Sequence, residues 1–111
     1  MSKVIKEHLP PKRADITLSV GENVEVGKED TSNPAWKKWV WCVSKSGLTG
    51  WVPKQVLRIE GNIGTVIKGY TSVELHVQPN DELTIHNHLN GWAWCTDASG
   101  ADGWVPEENF E

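Results

Sequence analysis

The sequence lacks the features that mark membrane and exported proteins. No apolar run approaches the roughly 18 residues that a membrane-spanning helix needs. The first residues, MSKVIKEHLPPKR, contain no apolar core of signal-peptide length. Two cysteines are too few for the about two to four disulfides that a small secreted domain usually carries. We therefore expect a soluble, cytoplasmic protein without a membrane partner.

The sequence is also poor in helix signals and in two of the three aromatic residue types. A single Phe and a single Tyr stand beside seven Trp and ten Gly. Short Val- and Ile-containing runs separated by turn residues are typical of β-strands. No stretch combines a helical hydrophobic period with an N-cap and a C-terminal Gly. The composition therefore indicates an all-β protein.

An internal repeat covers most of the chain. Residues 39–53, WVWCVSKSGLTGWVP, realign on residues 92–106, WAWCTDASGADGWVP, at a constant offset of 53. Upstream, residues 21–26 match residues 80–85 at an offset of 59. In both copies a Ser- and Gly-containing turn between the Trp strand and the Gly-Trp-Val-Pro strand predicts a hairpin.

The start of each copy is marked by a Val-Ile-Lys sequence. Residues 4–6 match residues 66–68 at an offset of 62. Each copy alone predicts about five short strands, which must curl together to enclose a core. We therefore predict a first domain over residues 1–60 and a second over residues 61–111.

The second copy resembles the Src-homology-3 (SH3) family almost throughout. Residues 73–85, VELHVQPNDELTI, follow the family pattern DELSFKKGDELEV nearly position by position. Trp92 stands at the family's first tryptophan, and Cys95 at its small core position. Residues 103–106, GWVP, match the strand that ends in the family's ligand-contacting proline. Because the first copy repeats these segments, the resemblance covers nearly the whole chain, twice.

This resemblance implies an all-β fold of two tandem SH3-like five-stranded small β-barrels, each with a non-catalytic ligand groove. The groove residues implied for the first copy are His8, Trp39, Trp51 and Pro53. Those implied for the second copy are Tyr70, Glu74, Asp81, Glu82, Trp92, Trp104, Pro106 and Asn109. The resemblance is closest to the variant SH3 modules of bacteria.

Several family tyrosines are replaced. The second tyrosine of the family's ALYDY segment is His8 in one copy and Tyr70 in the other, and the last tyrosine is Val56 or Asn109. Proline-rich peptides adopt an extended helix that rests on such aromatic ridges. The departures argue against ordinary PxxP recognition, most strongly in the first copy.

The tryptophans are too many for two cores of this size, so some must lie outside. Strand alternation places Val40 and Cys42 on one face and Trp39 on the other, and Val52 and Val105 are assigned to the cores. We predict two apolar platforms, one of Trp39, Trp51 and Pro53 and one of Trp92, Trp104 and Pro106. The alternative is that these rings cover an interface between the barrels or cap their cores.

Charge differs between the copies. Residues 1–60 carry ten Lys/Arg and seven Asp/Glu, a net +3, and residues 61–111 carry one and eight, a net −7. One hypothesis is that the acidic groove, with Glu74, Asp81 and Glu82, pairs an Arg or Lys of a peptide. The other is mutual attraction of the barrels together with solubility. A weak basic cluster does not change our expectation of no nucleic-acid partner: Lys12, Arg13, Lys37 and Lys38.

Other reactive residue types give no site. Cys42 and Cys95 occupy equivalent positions in separate copies and are interpreted as small buried residues. His86 and His88 lack further ligands at metal spacing, so a solvated loop is the interpretation. Ser, His and Asp occur only in scattered turns, so we expect no enzyme, no metal and no cofactor.

The segment between the copies is short, and several functions fit the pattern. With only Arg58–Asn62 between them, the barrels should form a rigid pair whose apolar contact includes Ile59, Ile63 or Trp36. The leading hypothesis is a monomeric binder of peptide or protein segments, proline-rich or containing Arg or Lys. The alternatives are a cell-wall glycan-binding module, since aromatic platforms stack on sugars, and structural self-association.

Overall fold

The computed structural model describes residues 1–29 and 38–111, which confirm the predicted all-β class. Within those residues the regular structure is strands and two short 3-10 helices, Lys54–Val56 and Glu107–Asn109. The strands are β1 (Ser2–Lys3), β2 (Thr17–Leu18), β3 (Asn23–Glu29), β4 (Trp39–Val43), β5 (Thr49–Pro53), β6 (Leu57–Glu60), β7 (Ile63–Val66), β8 (Tyr70–Thr71), β9 (Glu82–Leu89), β10 (Trp92–Thr96) and β11 (Asp102–Pro106). In the same described ranges, no helix has the length and apolar character to cross a membrane.

The chain divides into two compact units, but not at the boundary expected from the repeat. Unit 1 consists of Met1–Arg13 and Val73–Glu111, and unit 2 of Ala14–Ser72. Unit 2 is therefore inserted between two parts of unit 1. The sequence predicted a division between residues 60 and 61, where the repeat restarts.

Unit 2 contains a five-stranded antiparallel sheet with the strand order β5-β4-β3-β7-β6. A separate pair, β2 with β8, accompanies it. The hydrogen-bonded sheet is open, with β5 and β6 at its edges, and is not the closed barrel implied by the resemblance. The reason is that β2 and β8 pair with each other and do not join the two edges.

Unit 1 repeats this arrangement. Its sheet has the order β1-β9-β10-β11. An isolated bridge between Val4 and Phe110 places Phe110 beside β1, where unit 2 has its edge strand β6 beside β7. Val4 and Phe110 are the repeat equivalents of Val66 and Leu57, which are register partners in unit 2. The same strand order therefore recurs in both units, each with its own core.

The first strand of each sequence copy lies in the unit formed by the other copy. β1 pairs with β9, with Lys3 opposite Glu82, and β7 pairs with β3, with Thr65 opposite Asn23. The repeat pattern could not reveal this exchange, because Val4 and Val66 present the same apolar side chain to either core. Both valines are fully buried.

The buried side chains form one cluster in each unit. In unit 2 they are Ile16, Leu18, Val24, Val40, Cys42, Val52, Val56, Leu57 and Val66. In unit 1 they are Val4, Leu75, Val77, Leu83, Ala93, Cys95 and Val105. The predicted core positions on the Trp strands are thereby confirmed, including both cysteines, and burial raises the pKa of each thiol to about 11. Ile59 and Ile63 are exposed side chains of unit 2, and Trp36 lies outside the described residues.

The exchange of first strands predicts which pairs of engineered cysteines can form a disulfide. Asn23 and Thr65 are register partners whose side chains are hydrogen-bonded at 3.0 Å, and cross-strand Cα separations of about 4.5–5.5 Å suit a disulfide. We expect Asn23→Cys/Thr65→Cys to form an intramolecular disulfide under mild oxidation. Lys3→Cys/Asn23→Cys, the pair that an unexchanged first copy would bring together, should stay reduced. Mass spectrometry of the monomer band after non-reducing electrophoresis measures both, and the reverse result would contradict the exchange.

Two glycines permit a close approach between strands. Gly50 in β5 lets the segment before β2 pack closely, and Gly103 in β11 does the same for the segment before β9. A Cβ on Gly103 would lie 2.8 Å from Cγ of Leu75, and one on Gly50 would lie 2.9 Å from Cγ2 of Ile16. The two sites are repeat equivalents. The glycine in each Gly-Trp-Val-Pro strand is therefore required by packing.

We expect Gly103→Ala to lower the free energy of unfolding by about 1–3 kcal/mol, the usual cost of overpacking a core. Leu75 must shift because its backbone nitrogen also lies 3.1 Å from the new Cβ. Gly69→Ala is the matched control, since its Cβ would meet only a carbonyl oxygen at 3.7 Å. Urea denaturation measures both, and equal stabilities of the two variants would contradict the packing argument.

The hairpin turns use equivalent residues in different chemical forms. Asp97 Oδ1 accepts hydrogen bonds from the Ser99 hydroxyl at 2.6 Å and from the Ala101 N–H at 3.0 Å. In the other hairpin Ser44 contacts Ser46 at 2.9 Å and accepts from the Leu48 N–H at 3.1 Å. A carboxylate in one hairpin and a hydroxyl in the other thus close equivalent turns.

The Ser99 hydroxyl, with the turn's backbone N–H groups, lowers the pKa of Asp97 below its usual value. We expect Asp97→Ala to lower the free energy of unfolding by about 1 kcal/mol at neutral pH, and Asp97→Ser to cost less. A carboxyl whose pKa is lower when folded stabilises above its unfolded-state pKa and loses that effect as pH falls through the folded value. The Ala variant's deficit should therefore shrink below about pH 4, measured by urea denaturation. A deficit independent of pH would contradict this.

Candidate functional site

A partly exposed aromatic surface lies at one end of the β10–β11 hairpin in unit 1. Trp92 begins β10, Pro106 ends β11, and the two are register partners. The His8 ring meets the Trp92 ring edge-on, with centroids 5.8 Å apart and an interplanar angle of 81°. Trp92, Pro106 and His8 are all half-buried. We call these three residues, together with Glu74 and Arg13, the Trp92 site.

Glu74 is the charged centre of the Trp92 site. Its Oε1 lies 2.7 Å from Nε2 of His8, and its Oε2 accepts a hydrogen bond of 2.6 Å from Nη2 of Arg13. The Glu74 side chain is only 8% exposed, against 17% for His8 and 43% for Arg13. A carboxylate this buried requires such partners, because an unpaired charge there would be costly.

Backbone pairing fixes Glu74 relative to β11. The Leu75 N–H donates to the Trp104 carbonyl at 3.1 Å, and the Trp104 N–H donates to the Val73 carbonyl at 2.9 Å. The residue between these two bonds is Glu74, which forms a parallel bridge with Trp104. Its backbone is thus held in place by the same strand that ends in Pro106.

Asn109 positions the segment that carries His8. Its amide donates to the carbonyls of Lys6 at 2.9 Å and Glu7 at 3.1 Å, and the Ile5 N–H donates to the Asn109 carbonyl at 2.8 Å. Asn109 is only 2% exposed. The sequence placed Asn109 among the ligand-binding residues, and in the structure the 3-10 helix that contains it turns the amide inward onto the N-terminal segment.

His8 and Tyr70 each lie in the unit where the sequence predicted the other. The sequence grouped His8 with the Trp39 groove and Tyr70 with the Trp92 groove. In the structure Tyr70 belongs to unit 2, where it pairs with Leu18 and its hydroxyl donates to the Trp51 carbonyl at 3.5 Å. The exchange of first strands carries each of these residues into the other unit, so the Trp92 site draws on both sequence copies.

Two further tryptophans, Trp41 and Trp94, form ring pairs that the sequence interpretation missed. Trp94 meets Trp104 with centroids 5.1 Å apart, and Trp41 meets Trp51 at 5.3 Å. Each pair is directly cross-strand in its hairpin. The ring partner of Trp104 is therefore Trp94, and counting the register outward from the turn would have found both pairs.

The predicted platform of Trp39, Trp51 and Pro53 is not an open surface. Trp39 is only 7% exposed, and Pro53 is buried as well, whereas Trp51 is half-buried. Alternation predicts Trp39 on the face opposite Val40 and Cys42, and the buried cluster that contains those two side chains does not include Trp39. Alternation could not predict whether that face is covered, because burial depends on parts of the chain distant in sequence.

The other acidic candidates have local contacts. The Asp81 carboxylate accepts a hydrogen bond of 2.9 Å from the Gln78 N–H in the turn before β9. Glu82 is exposed on β9 opposite Lys3. By sequence count, unit 1 carries four Lys/Arg and nine Asp/Glu, a net −5, and unit 2 carries seven and six, a net +1. The exchange thus reduces the charge difference predicted from the two copies.

Two further histidines, His86 and His88, contact neighbouring polar side chains. His86 and His88 lie in strand β9, not in the predicted loop, because the backbone ladder with β10 continues past these polar side chains. His86 contacts the Thr96 hydroxyl at 2.7 Å, and His88 contacts the Glu107 carboxylate at 2.8 Å. In the part of the chain that the structure describes, no three His, Cys, Asp or Glu side chains are grouped to hold a metal ion.

Comparison with known families gives a match over the first half of the chain. The family model described as variant SH3 domain matches residues 2–60, which is the first sequence copy. In the structure that stretch contributes its first strand to unit 1 and most of its remainder to unit 2. No curated protein and no solved structure matches the chain significantly.

Proposed function

The chain belongs to the variant SH3 domain family, and we propose that it is a non-catalytic module that binds a peptide or protein segment at the Trp92 site. SH3-type domains are generally binding modules without catalytic activity. The observation that carries the proposal is the half-buried Trp92 side chain, which is the register partner of Pro106 and makes a T-shaped ring contact with His8. An indole held by its neighbours but still open on one side offers a large apolar contact at low entropic cost.

Unit 1 is a better candidate for binding than unit 2. The equivalent tryptophan in unit 2, Trp39, is nearly sealed, and its register partner Pro53 is buried. A ligand there could reach little of either ring. Of the two equivalent tryptophan–proline pairs, the one in unit 1 is therefore the more accessible to a ligand.

Hydrogen bonds around the site support the rigidity that binding requires. Asn109 holds the segment that precedes His8 through two hydrogen bonds, and β11 holds Glu74. His8 and Glu74, which lie near Trp92, are thus positioned before a ligand binds. Such preorganisation favours affinity because less conformational entropy is lost on binding.

We expect Trp92→Ala to weaken the binding of segments selected by the wild-type protein from a random peptide display library. The loss should be about tenfold or more, because truncating a central aromatic contact typically costs over 1 kcal/mol. Isothermal titration with the selected peptides measures it, and thermal melting checks that the variant folds.

Trp41→Ala is the matched control, since it removes another partly exposed indole from a cross-strand ring pair in unit 2. Its affinity for the same peptides should stay within about twofold of the wild-type value. Unchanged binding by the Trp92 variant, or a failure to select any peptide, would overturn the proposed function.

A further inference from the structure

We propose that Arg13 and His8 pair with the Glu74 carboxylate in the place that a ligand's cation would otherwise take. The Trp92 site therefore selects uncharged segments over basic ones. This inference deepens the proposed function and rests on it. It also reverses the hypothesis, drawn from the acidic sequence of the second copy, that Glu74 pairs an Arg or Lys of the ligand.

The carboxylate of Glu74 already has a basic partner at each oxygen. His8 contacts one oxygen at 2.7 Å, and the Arg13 guanidinium donates to the other at 2.6 Å. With 8% of the side chain exposed, little of the group remains accessible from solution. A ligand cation must therefore displace Arg13 before it gains an ion pair of its own.

That exchange brings little free energy to binding. One guanidinium–carboxylate contact would be broken for each one formed, and the displaced Arg13 would return to water. Arg13 is also tethered five residues after His8, within the same unit. A tethered group acts at an effective concentration on the order of millimolar, which a dilute peptide cannot match.

Acidic ligands are disfavoured for a different reason. Unit 1 carries a net −5 by sequence count, so an acidic segment would approach against its field. Glu74 also neutralises much of the positive charge that Arg13 would offer. What remains for recognition is the Trp92 ring, Pro106 and the His8 ring, which suit apolar, aromatic or proline side chains.

The arrangement is specific to unit 1 and is not a consequence of the fold. The repeat equivalent of Glu74 is Asp15, and its carboxylate accepts a hydrogen bond of 3.1 Å from the Ser72 hydroxyl. The equivalent of His8 is Tyr70, whose hydroxyl contacts a backbone carbonyl. The same strand order is therefore compatible with an acidic residue whose carboxylate pairs with a hydroxyl in place of an arginine.

The test compares the wild-type protein with Arg13→Gln, using peptides selected on the wild type and the same peptides with Arg placed at each flanking position in turn. The wild type should bind the Arg-containing forms no better than the parents. Arg13→Gln should gain about tenfold for at least one Arg-containing form, the effect of one new charge-assisted pair. Adding Glu74→Gln to that variant should abolish the gain.

Arg58→Gln is the control, since it removes an exposed arginine of unit 2 that contacts Glu60 at 3.7 Å. It should leave both peptide series unchanged. Equal behaviour of Arg13→Gln and Arg58→Gln would overturn the inference, as would a wild type that prefers the Arg-containing peptides by about tenfold. Neither result would affect the Trp92→Ala comparison, which tests the proposed function separately.

A small-molecule probe tests the state of Glu74 without any selected peptide. Millimolar N-acetyl-arginine amide should shift the Trp92 indole N–H resonance in Arg13→Gln but not in the wild type, and N-acetyl-leucine amide should give no such difference. A shift of equal size in both proteins would show that Arg13 does not withhold Glu74, and no shift in either would show that Glu74 does not take an external cation. Both outcomes would overturn the inference.

Discussion

The backbone pairing of each copy's first strand with the other copy's sheet is the constraint on which the rest of the structure depends. Without β1, the sheet of unit 1 would end at β9, and Val4 would be absent from its core. Without β7, β3 and β6 of unit 2 would have no strand between them. Each unit therefore includes one strand from the other sequence copy.

The exchange also determines the chemistry of the candidate site. The N-terminal segment that follows β1 carries His8 and Arg13 into unit 1, where both contact Glu74. The segment that follows β7 carries Tyr70 into unit 2. A partner for a buried carboxylate is thus supplied by a stretch of chain more than fifty residues away in sequence.

Both units meet the same packing requirements with different residues. Gly50 and Gly103 permit the same close approach, and Ser44 and Asp97 close the same hairpin turn. These positions follow local rules, so equivalent residues in the two copies have equivalent roles. The site residues differ, because Trp39 and Trp92 have unequal exposures at equivalent positions.

The sequence by itself determined the all-β class, the hairpins, the core valines and the burial of both cysteines, because each depends on residues a few positions apart and on strand alternation. It also contained the family resemblance. Only the tertiary structure decided which copy each first strand joins, which tryptophans are covered and which partners Glu74 has. The physical reason is that Val4 and Val66 are the same residue type, so the hydrophobic pattern is the same for both pairings, and only long-range contacts distinguish them.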